Sequence, residues 1–482
     1  MRVAVVVAAM LFCAPVFAKG VKLPSVTNSV EIRTWTDDTG RHKRQAVFVR
    51  SDGDTIVLQL KDGRDISVKY DRLSEVDRAF VDATRAQKNP GRPSFRELLA
   101  RQTSKQLPPT GLSDVELEGA ALLGKRVEKA VADGVDQVVA LFDIDQFAKR
   151  TIEGIELPPE GVTAFTALAP NSLKQIVSAI IANKQRGFGP LRFIRGRRVE
   201  TSKRLLFRTV HETSGLVGYY EFIYESPVSG RPPLQNIWIF NAGETFSNSL
   251  RRGNIMLAGA INQSFVSKLV AGEADIVKHI GEINQMCELH KQGKINEAIA
   301  ALKTLPDSVR KDKTYLLMLI NCADQARNQQ EFTAAVRDYE RIFPRDPSLA
   351  FVRLASAASG NDKVLFMDTV DKIDAAVGGD SILMCLRGSW LAEKLQENAA
   401  ARSYFLQAIA TDPASPLVVG CLLLHDLDVG AYAEVVDILT YVEEECGIDA
   451  GKLVSAYGKK CEGFLASAEG KKWKASQRAS AQ

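Results

Sequence analysis

The sequence predicts a multidomain α+β protein with three folded parts: a small β-barrel, a domain of helices plus an antiparallel sheet, and a C-terminal solenoid of helical pairs. Three observations predict this division. Residues 31–81 contain short alternating apolar runs between turn residues, and residues 191–240 contain four aromatic and β-branched runs after a helical stretch. Residues 280–465 repeat a helical pattern. The 482 residues are enough for about two to four domains.

The first residues predict a signal peptide at 1–18. Arg2 supplies the positive charge, Val3–Phe17 the apolar core, and Val16-Phe17-Ala18 the cleavage pattern. The apolar run is too short for a permanent membrane span. We therefore expect export to the periplasm or the cell exterior.

The barrel is predicted at residues 29–84. Ile56, Leu58 and Leu60 alternate with Val57 and Gln59, which is strand periodicity, and Asp62-Gly63 is a strong hairpin signal. Ser74 precedes a helical turn, with Asp77 three residues later in a weak form of the capping box. Short strands with tight turns suit a barrel, in which closure removes the sheet edges.

This segment resembles the Sla-one homology domain, an SH3-like module first defined in a yeast endocytic adaptor. Lys69 departs from the pattern, because many bacterial copies carry proline there. The resemblance implies peptide binding, since the yeast module binds Asn-Pro-Phe peptides followed by an acidic residue. The residues that carry it are Arg33-Thr34-Trp35, Gly40, Ala46, Phe48-Val49, Val57, Leu60, Lys61-Asp62-Gly63, Ile66, Val68, Leu73-Ser74, Asp77 and Phe80-Val81.

Five residues are the candidate peptide-binding residues of this module: Trp35, Lys61, Arg64, Lys69 and Arg72. The four basic residues among them have the right charge to face an acidic ligand. The alternative interpretation is that they are solvated charges at the edge of a sheet.

A linker is predicted at 85–113, because proline and glycine stand near both of its ends, with a brief helix at Phe95–Gln102. The α+β domain is predicted at 114–275. Its helices are expected at Asp114–Asp133, at Val135–Arg150, from an Asn171 cap and over residues 245–280. Its strands are expected at Leu191–Ile194, Arg204–His211, Val217–Tyr224 and Leu234–Phe240.

Basic residues crowd the first two of these strands. They predict either an anion-binding or envelope-binding patch or, as the alternative, a solvated sheet face. These residues are Arg192, Arg195, Arg197, Arg198, Lys203, Arg204 and Arg208.

Parts of the chain also resemble an uncharacterised family of bacterial tetratricopeptide proteins. This resemblance implies an architecture and no activity. The segments that carry it are Phe142–Asp145, Phe207–Glu212, Ile237–Phe240, Gly243-Glu244, Leu250–Arg252 and Ala375–Asp380.

The solenoid is predicted at 280–465. Ala298, Ala335, Ala401 and Val435 follow one another at intervals of 37, 66 and 34 residues, and the long interval corresponds to two repeats of 33. With Asp346-Pro347 and Asp412-Pro413 closing the clearest copies, the pattern resembles the tetratricopeptide repeat, whose concave face binds peptides or proteins. A purely structural scaffold is the alternative. Residues 466–482 are predicted to be a disordered tail.

Six cysteines follow the predicted cleavage site: Cys287, Cys322, Cys385, Cys421, Cys446 and Cys461. An exported protein permits disulfides, and Cys446 with Cys461 is the pair most open to bridging. The other interpretation is that these cysteines are buried small hydrophobic residues.

No motif predicts a catalytic, cofactor or metal site, and the net charge of +4 is too small to indicate nucleic-acid binding. The sequence therefore predicts an exported, non-enzymatic adaptor or scaffold whose partners are proteins or peptides. One alternative is a structural component of a cell-envelope assembly. Another is a small-ligand binder or enzyme with a site near His211 and Tyr220.

Overall fold

The structure is a computed structural model of the 482-residue chain. It describes residues 33–37, 42–52, 55–60, 64–74, 77–78, 81, 95–102, 108–155, 157, 159–211, 215, 217–225, 232–261, 278–413 and 415–480. The predicted signal peptide at 1–18, the Asp62-Gly63 turn and Lys61 lie outside the described residues.

The N-terminal module is an antiparallel meander of four strands in the order β1-β2-β3-β4. Alternation directs one side of each strand into a small core around Trp35, Ile56 and Leu58. A one-turn 3₁₀ helix, Tyr70–Arg72, follows the last strand. The strands are β1 Arg33–Thr36, β2 Lys43–Asp52, β3 Thr55–Leu60 and β4 Asp65–Lys69.

The predicted closed barrel is wrong for the described strands, because no ladder joins β1 to β4. The chain after β4 contacts β1 through a single bridge between Asp37 and Leu73, a hydrogen bond from the Ser74 N–H to the Thr36 carbonyl and one from the Thr36 N–H to the Asp77 carboxylate. These contacts use the end of β1, so irregular chain covers the edge that barrel closure was expected to remove.

Helix α1, Phe95–Arg101, lies within the predicted linker, and the brief helix expected there is confirmed. Helix α2 starts at a reciprocal capping box between Ser113 and Glu116. Helix α6 begins two residues before the expected Asn171 cap, with proline in its first turn. The helices before the second sheet are α2 Asp114–Asp133, α3 Val135–Val139, α4 Ile144–Thr151, α5 Pro159–Thr166 and α6 Ala169–Ala182, and a 3₁₀ turn, Asn183–Arg186, follows them.

The single helix predicted at Val135–Arg150 is wrong, because the structure has α3 and α4 there. The residues between α3 and α4 form backbone hydrogen bonds with the second sheet. The Asp143 N–H donates to the Leu234 carbonyl, and the Leu234 N–H donates to the Leu141 carbonyl. The Asp143 carboxylate then caps α4 by accepting from the Gln146 N–H.

The second sheet is a five-stranded antiparallel meander in the order β5-β6-β7-β8-β9, so the four predicted strands are present. Phe207 and Phe222 lie on one face of it, 5.1 Å apart between ring centroids, in the core shared with α2 to α6. The strands are β5 Arg192–Val199, β6 Ser202–Val210, β7 Val217–Tyr224, β8 Leu234–Ile239 and β9 Glu244–Thr245. Helix α7, Phe246–Ile261, follows β9.

The described residues from 280 onward form helices joined by short turns. Neighbouring helices pack side by side, as α11 does with α12, α13 with α14 and α16 with α17. A tetratricopeptide solenoid stays a prediction. The helices are α8 Ile280–Lys291, α9 Ile295–Lys303, α10 Asp307–Arg310, α11 Lys313–Gln325, α12 Gln329–Ile342, α13 Leu349–Ser359, α14 Lys363–Val377, α15 Ser381–Trp390, α16 Asn398–Thr411, α17 Pro416–Asp428, α18 Tyr432–Cys446, α19 Ala450–Tyr457, α20 Glu462–Ala466 and α21 Ala468–Ser480. A π-helical turn, Leu391–Leu395, follows α15, and a 3₁₀ turn, Gly458–Cys461, follows α19.

The prediction of a disordered tail at 466–482 is wrong over α21. Trp473 is buried against Phe464, with 5.8 Å between ring centroids, and Gln477 donates to Glu443. One aromatic anchor in a polar sequence is a weak pattern, so its packing was not predicted.

The six cysteines after the predicted cleavage site are all free thiols, and Cys446 and Cys461 are not bridged. The Cys446 thiol instead donates to the Pro413 carbonyl. Burial raises the pKa of the Cys287 thiol to about 12, as expected for a cysteine that serves as a small core residue.

The chain forms two compact units. One comprises the described residues of 106–386, with the second sheet and the helices around it. The other comprises those of 24–105 and 387–482, with the N-terminal module, α1 and the last helices. No helix in the described part of the chain combines the length and the apolar character that a membrane span requires.

Candidate functional site

The outer face of the N-terminal module is polar. Along β3 and β4 the core-facing residues alternate with residues that point outward, and Gln59, Ser67 and Lys69 are exposed there. Lys69 lies opposite Thr55 in the ladder between these strands. The outward row therefore offers the hydrogen-bonding groups of Gln59 and Ser67 and the cation of Lys69, while Val57, opposite Ser67, is buried.

The predicted basic residues are divided between the two ends of β4. Arg64 precedes β4 at the hairpin, where its carbonyl accepts from the Leu60 N–H at 2.9 Å. Lys69 ends β4, and Arg72 ends the following 3₁₀ turn. Five residues of strand separate Arg64 from Lys69 by roughly 17 Å. Lys69 and Arg72 thus flank one 3₁₀ turn, and Arg64 lies at the opposite end of β4 from Lys69.

Trp35, the fifth predicted residue, is a core residue. Its side chain is 3% exposed, and its indole Nε1–H donates to the Ala46 carbonyl at 3.1 Å. Burial with a satisfied N–H is the usual arrangement for a structural tryptophan. Trp35 therefore supports the surface on which a ligand would bind and presents almost no surface of its own.

Asp77 was not among the predicted site residues, yet it ties the chain just after Arg72 to β1. Its buried carboxylate accepts from the Thr36 N–H and from the Ser74 hydroxyl, both at 2.8 Å. The Asp77 N–H in turn donates to the Ser74 hydroxyl at 3.2 Å. The weak capping box was the only sequence signal, and it did not reveal the contact with β1.

Replacing Asp77 with alanine is expected to destabilise the module. The Thr36 N–H would lose its buried acceptor, which costs about 1–3 kcal/mol. Asp71→Ala, at an exposed position of the neighbouring 3₁₀ turn, is the control and should change stability by less than about 0.5 kcal/mol. Amide hydrogen exchange across β2 and β3 in the full chain measures both, and equal protection in the two variants would contradict the role of Asp77.

The arginines of the second sheet do not form a solvated face. Arg195 donates to the carbonyls of Val377, Gly378 and Gly379 at the end of α14, where a cation is favourable to the helix dipole. Burial, more than any other cause, lowers the pKa of Arg195. This arginine serves as a cap for α14 and is not available to an anion from solution.

Other members of the cluster pair with acidic residues. Arg197 and Arg204 both donate to the buried carboxylate of Glu221, and Arg204 also lies 5.0 Å from the ring centroid of Trp238. Arg208 donates to the buried carboxylate of Asp380. The patch predicted for anion or envelope binding is thus largely used in internal contacts.

Tyr219 completes the contact at Asp380. Its hydroxyl donates to the carboxylate at 2.8 Å, and its ring lies 6.4 Å from that of Phe351 in α13. Burial, and then the Asp380 charge, raise the pKa of Tyr219 well above its usual range.

At the exposed edge of the cluster, Arg198 and Lys203 both pair with Glu116, at 2.9 Å. The Lys203 hydrogen bond is the largest cause that lowers the pKa of Glu116 to about 2.

The second predicted location, near His211 and Tyr220, is packed. Tyr220 belongs to the hydrophobic core, and its hydroxyl accepts from the Asn183 side chain at 3.1 Å. The His211 ring packs edge-on against Phe188, 5.0 Å between centroids. Over the described ranges, no group of three or more His, Cys, Asp or Glu side chains is arranged to hold a metal ion.

No curated protein and no solved structure matches the chain. Residues 25–89 match the family described as SLA1 homology domain 1, SHD1. That match contains all five predicted peptide-binding residues, and the N-terminal module is accordingly similar to a protein-interaction module.

Proposed function

We propose that this chain is a non-enzymatic adaptor that binds short acidic peptides on its N-terminal module. The observation that carries the proposal is the match of residues 25–89 to SLA1 homology domain 1. Export, indicated by the pattern of residues 1–18, is part of the proposal, and the N-terminal sequence of the mature protein tests it.

The arrangement of the module supports a binding role around the 3₁₀ turn that Lys69 and Arg72 flank. Both side chains are exposed, and the Asp77 hydrogen bonds tie Ser74, two residues after Arg72, to Thr36 of β1. Fixed positions reduce the ordering cost when a ligand binds, and complementary charge favours an acidic one.

The helical region supplies the second part of the proposal. The regular spacing of small residues and the Asp346-Pro347 and Asp412-Pro413 turns support a tetratricopeptide solenoid with its own protein-binding face. Two weak binding surfaces on one chain raise the effective concentration of a partner that engages both. An adaptor built in this way gains avidity without a tight site.

The packing near Tyr220 supports binding rather than catalysis. A small-ligand or enzyme site there would need an open pocket with converging polar groups. The Tyr220 hydroxyl is instead engaged by Asn183 inside the core. We therefore place the function on the surface of the module.

The proposal is tested by selecting short peptides from a displayed library on the full chain and titrating the best one. We expect acidic peptides to be enriched and Lys69→Glu with Arg72→Glu to weaken binding at least about tenfold, because repulsion replaces attraction. Lys43→Glu with Arg44→Glu reverses two exposed charges on β2 and should have a much smaller effect. Failure to select any peptide, or equal losses in both double variants, would contradict the proposal.

A further inference from the structure

Helix α1 packs against α16 and α18, about three hundred residues further along the chain. Phe95 is its anchor: the side chain is 5% exposed, and its ring meets that of Tyr441 edge-on at 5.1 Å. Leu98, Leu99 and Gln102 are half-buried. With Phe95 they form the i, i+3, i+4, i+7 stripe of an amphipathic helix in a groove.

The helical state of α1 depends on this docking. It has seven residues, whereas isolated helices shorter than about 12–15 residues are marginal in water. Pro90 and Pro93 precede it closely, so the helix cannot readily lengthen at its N-terminal end. Docking and helix formation of this segment are therefore one coupled event.

The groove is acidic at the point where α1 begins. Helix α18 ends with Glu443, Glu444 and Glu445, which is unfavourable because the C-terminal end of a helix dipole is already negative. Arg96 lies 2.8 Å from the Glu444 carboxylate and 2.5 Å from that of Glu445. All three side chains are well exposed, so these ion pairs orient α1 more than they hold it.

We propose that the surface formed by α16 and α18, with Tyr441, Glu444 and Glu445 where the bound helix begins, is a binding site for short helical peptides in which an aromatic residue is followed by arginine. Helix α1 is its resident ligand in this chain, and a partner segment of the same chemistry binds by displacing it. A single buried aromatic anchor and exposed ion pairs make a contact that a competitor can replace. The inference is independent of the ligand of the N-terminal module.

The test uses a fluorescent peptide with the sequence of residues 93–103 and the full chain. In the wild type, α1 competes at the high effective concentration of a tethered segment. We expect Phe95→Ala to remove this competition and to strengthen peptide binding at least about tenfold. In the Phe95→Ala background, Glu444→Lys with Glu445→Lys should weaken peptide binding again, whereas Glu462→Lys on α20 should not. A peptide carrying the Phe95→Ala change should fail to bind.

A second variant keeps the test valid if Phe95→Ala fails to fold. Arg96→Glu changes only an exposed side chain and removes the attraction to α18, so it should also strengthen peptide binding, by roughly threefold or more. Equal affinity for the wild type and Arg96→Glu, with circular dichroism unchanged, would overturn the proposal. Peptide binding that ignores the Glu444 and Glu445 reversal would overturn it as well.

Discussion

Gly243→Ala is expected to destabilise the unit formed by residues 106–386 by about 3 kcal/mol. Gly243 has φ +62°, a left-handed conformation that costs a residue with a Cβ about 1–2 kcal/mol. A Cβ there would lie 2.7 Å from Asp346 Oδ1 and 2.8 Å from the Ser348 backbone nitrogen. Forcing these atoms apart adds about 1–3 kcal/mol. Amide hydrogen exchange of β8 and α13 in the full chain measures the loss.

Gly293→Ala is the matched control. Gly293 also has a positive φ, +75°, but no atom lies within 4 Å of the position its Cβ would take. This variant incurs the backbone strain without the collision, so it should cost about 1–2 kcal/mol. The difference between the losses of stability in the two variants measures the cost of the collision between residue 243 and the turn before α13. Equal losses of stability in the two variants would mean that the collision at residue 243 adds no cost.

The polar groups around this turn explain why Gly243 meets a rigid neighbour. Asp346 accepts from Lys313 at 2.6 Å and from the Ser348 hydroxyl at 2.7 Å. The hydroxyls of Ser348 and Tyr339 are 2.7 Å apart in the core. The Asp346-Pro347 turn therefore cannot move aside without breaking several buried contacts, so the cost of the added methyl group falls on the fold.

Alternation and turn residues predicted both sheets well, because these signals are local. The strands from β6 to β8 begin and end within two residues of their predicted limits, whereas β5 continues five residues beyond the predicted end at Ile194. The breaks that were missed depend on distant partners. Leu234 interrupts the helix predicted at Val135–Arg150 by pairing with residues about 90 positions earlier, and no periodicity within that segment indicates it.

The candidate site was predicted less well than the fold. Lys69 and Arg72 are exposed, as a ligand-facing role requires, but Trp35 is buried and Arg64 lies at the far end of β4. Which face of a strand a residue occupies follows from register, and the sequence shows register only approximately. The contact of Asp77 with β1 spans 41 residues and was not predicted.

The arginine cluster shows that charge patterns, too, fail to reveal contacts with residues that are distant in sequence. Seven basic residues within two strands indicated an exposed patch, because their compensating groups are remote in sequence. Glu221 lies on β7, and the carbonyls and carboxylate that receive Arg195 and Arg208 come from residues 377–380. A positive stretch is thus not evidence of a free surface until its partners are located.

Asp380→Asn tests whether this cluster holds the sheet to the end of α14. Asparagine keeps the shape: its single amide oxygen can still accept from the Ile382 N–H, and its NH2 group can donate to the Tyr219 hydroxyl. It leaves the Arg208 guanidinium buried without its anion, which typically costs about 3–5 kcal/mol. We expect a loss near the lower end of that range, because Tyr219 keeps a partner. Asp368→Asn, in an exposed pair with Lys372, should cost less than about 1 kcal/mol.

The double variant Arg208→Met with Asp380→Asn separates a charge effect from a packing effect. Removing the guanidinium also removes the uncompensated charge, so the double variant should cost at least about 1.5 kcal/mol less than the two single losses added together. Hydrogen exchange of β6 and β7 amides gives the four free energies of the cycle. Strict additivity would mean that Arg208 and Asp380 stabilise the unit separately, and the ion pair would then not be what joins the sheet to α14.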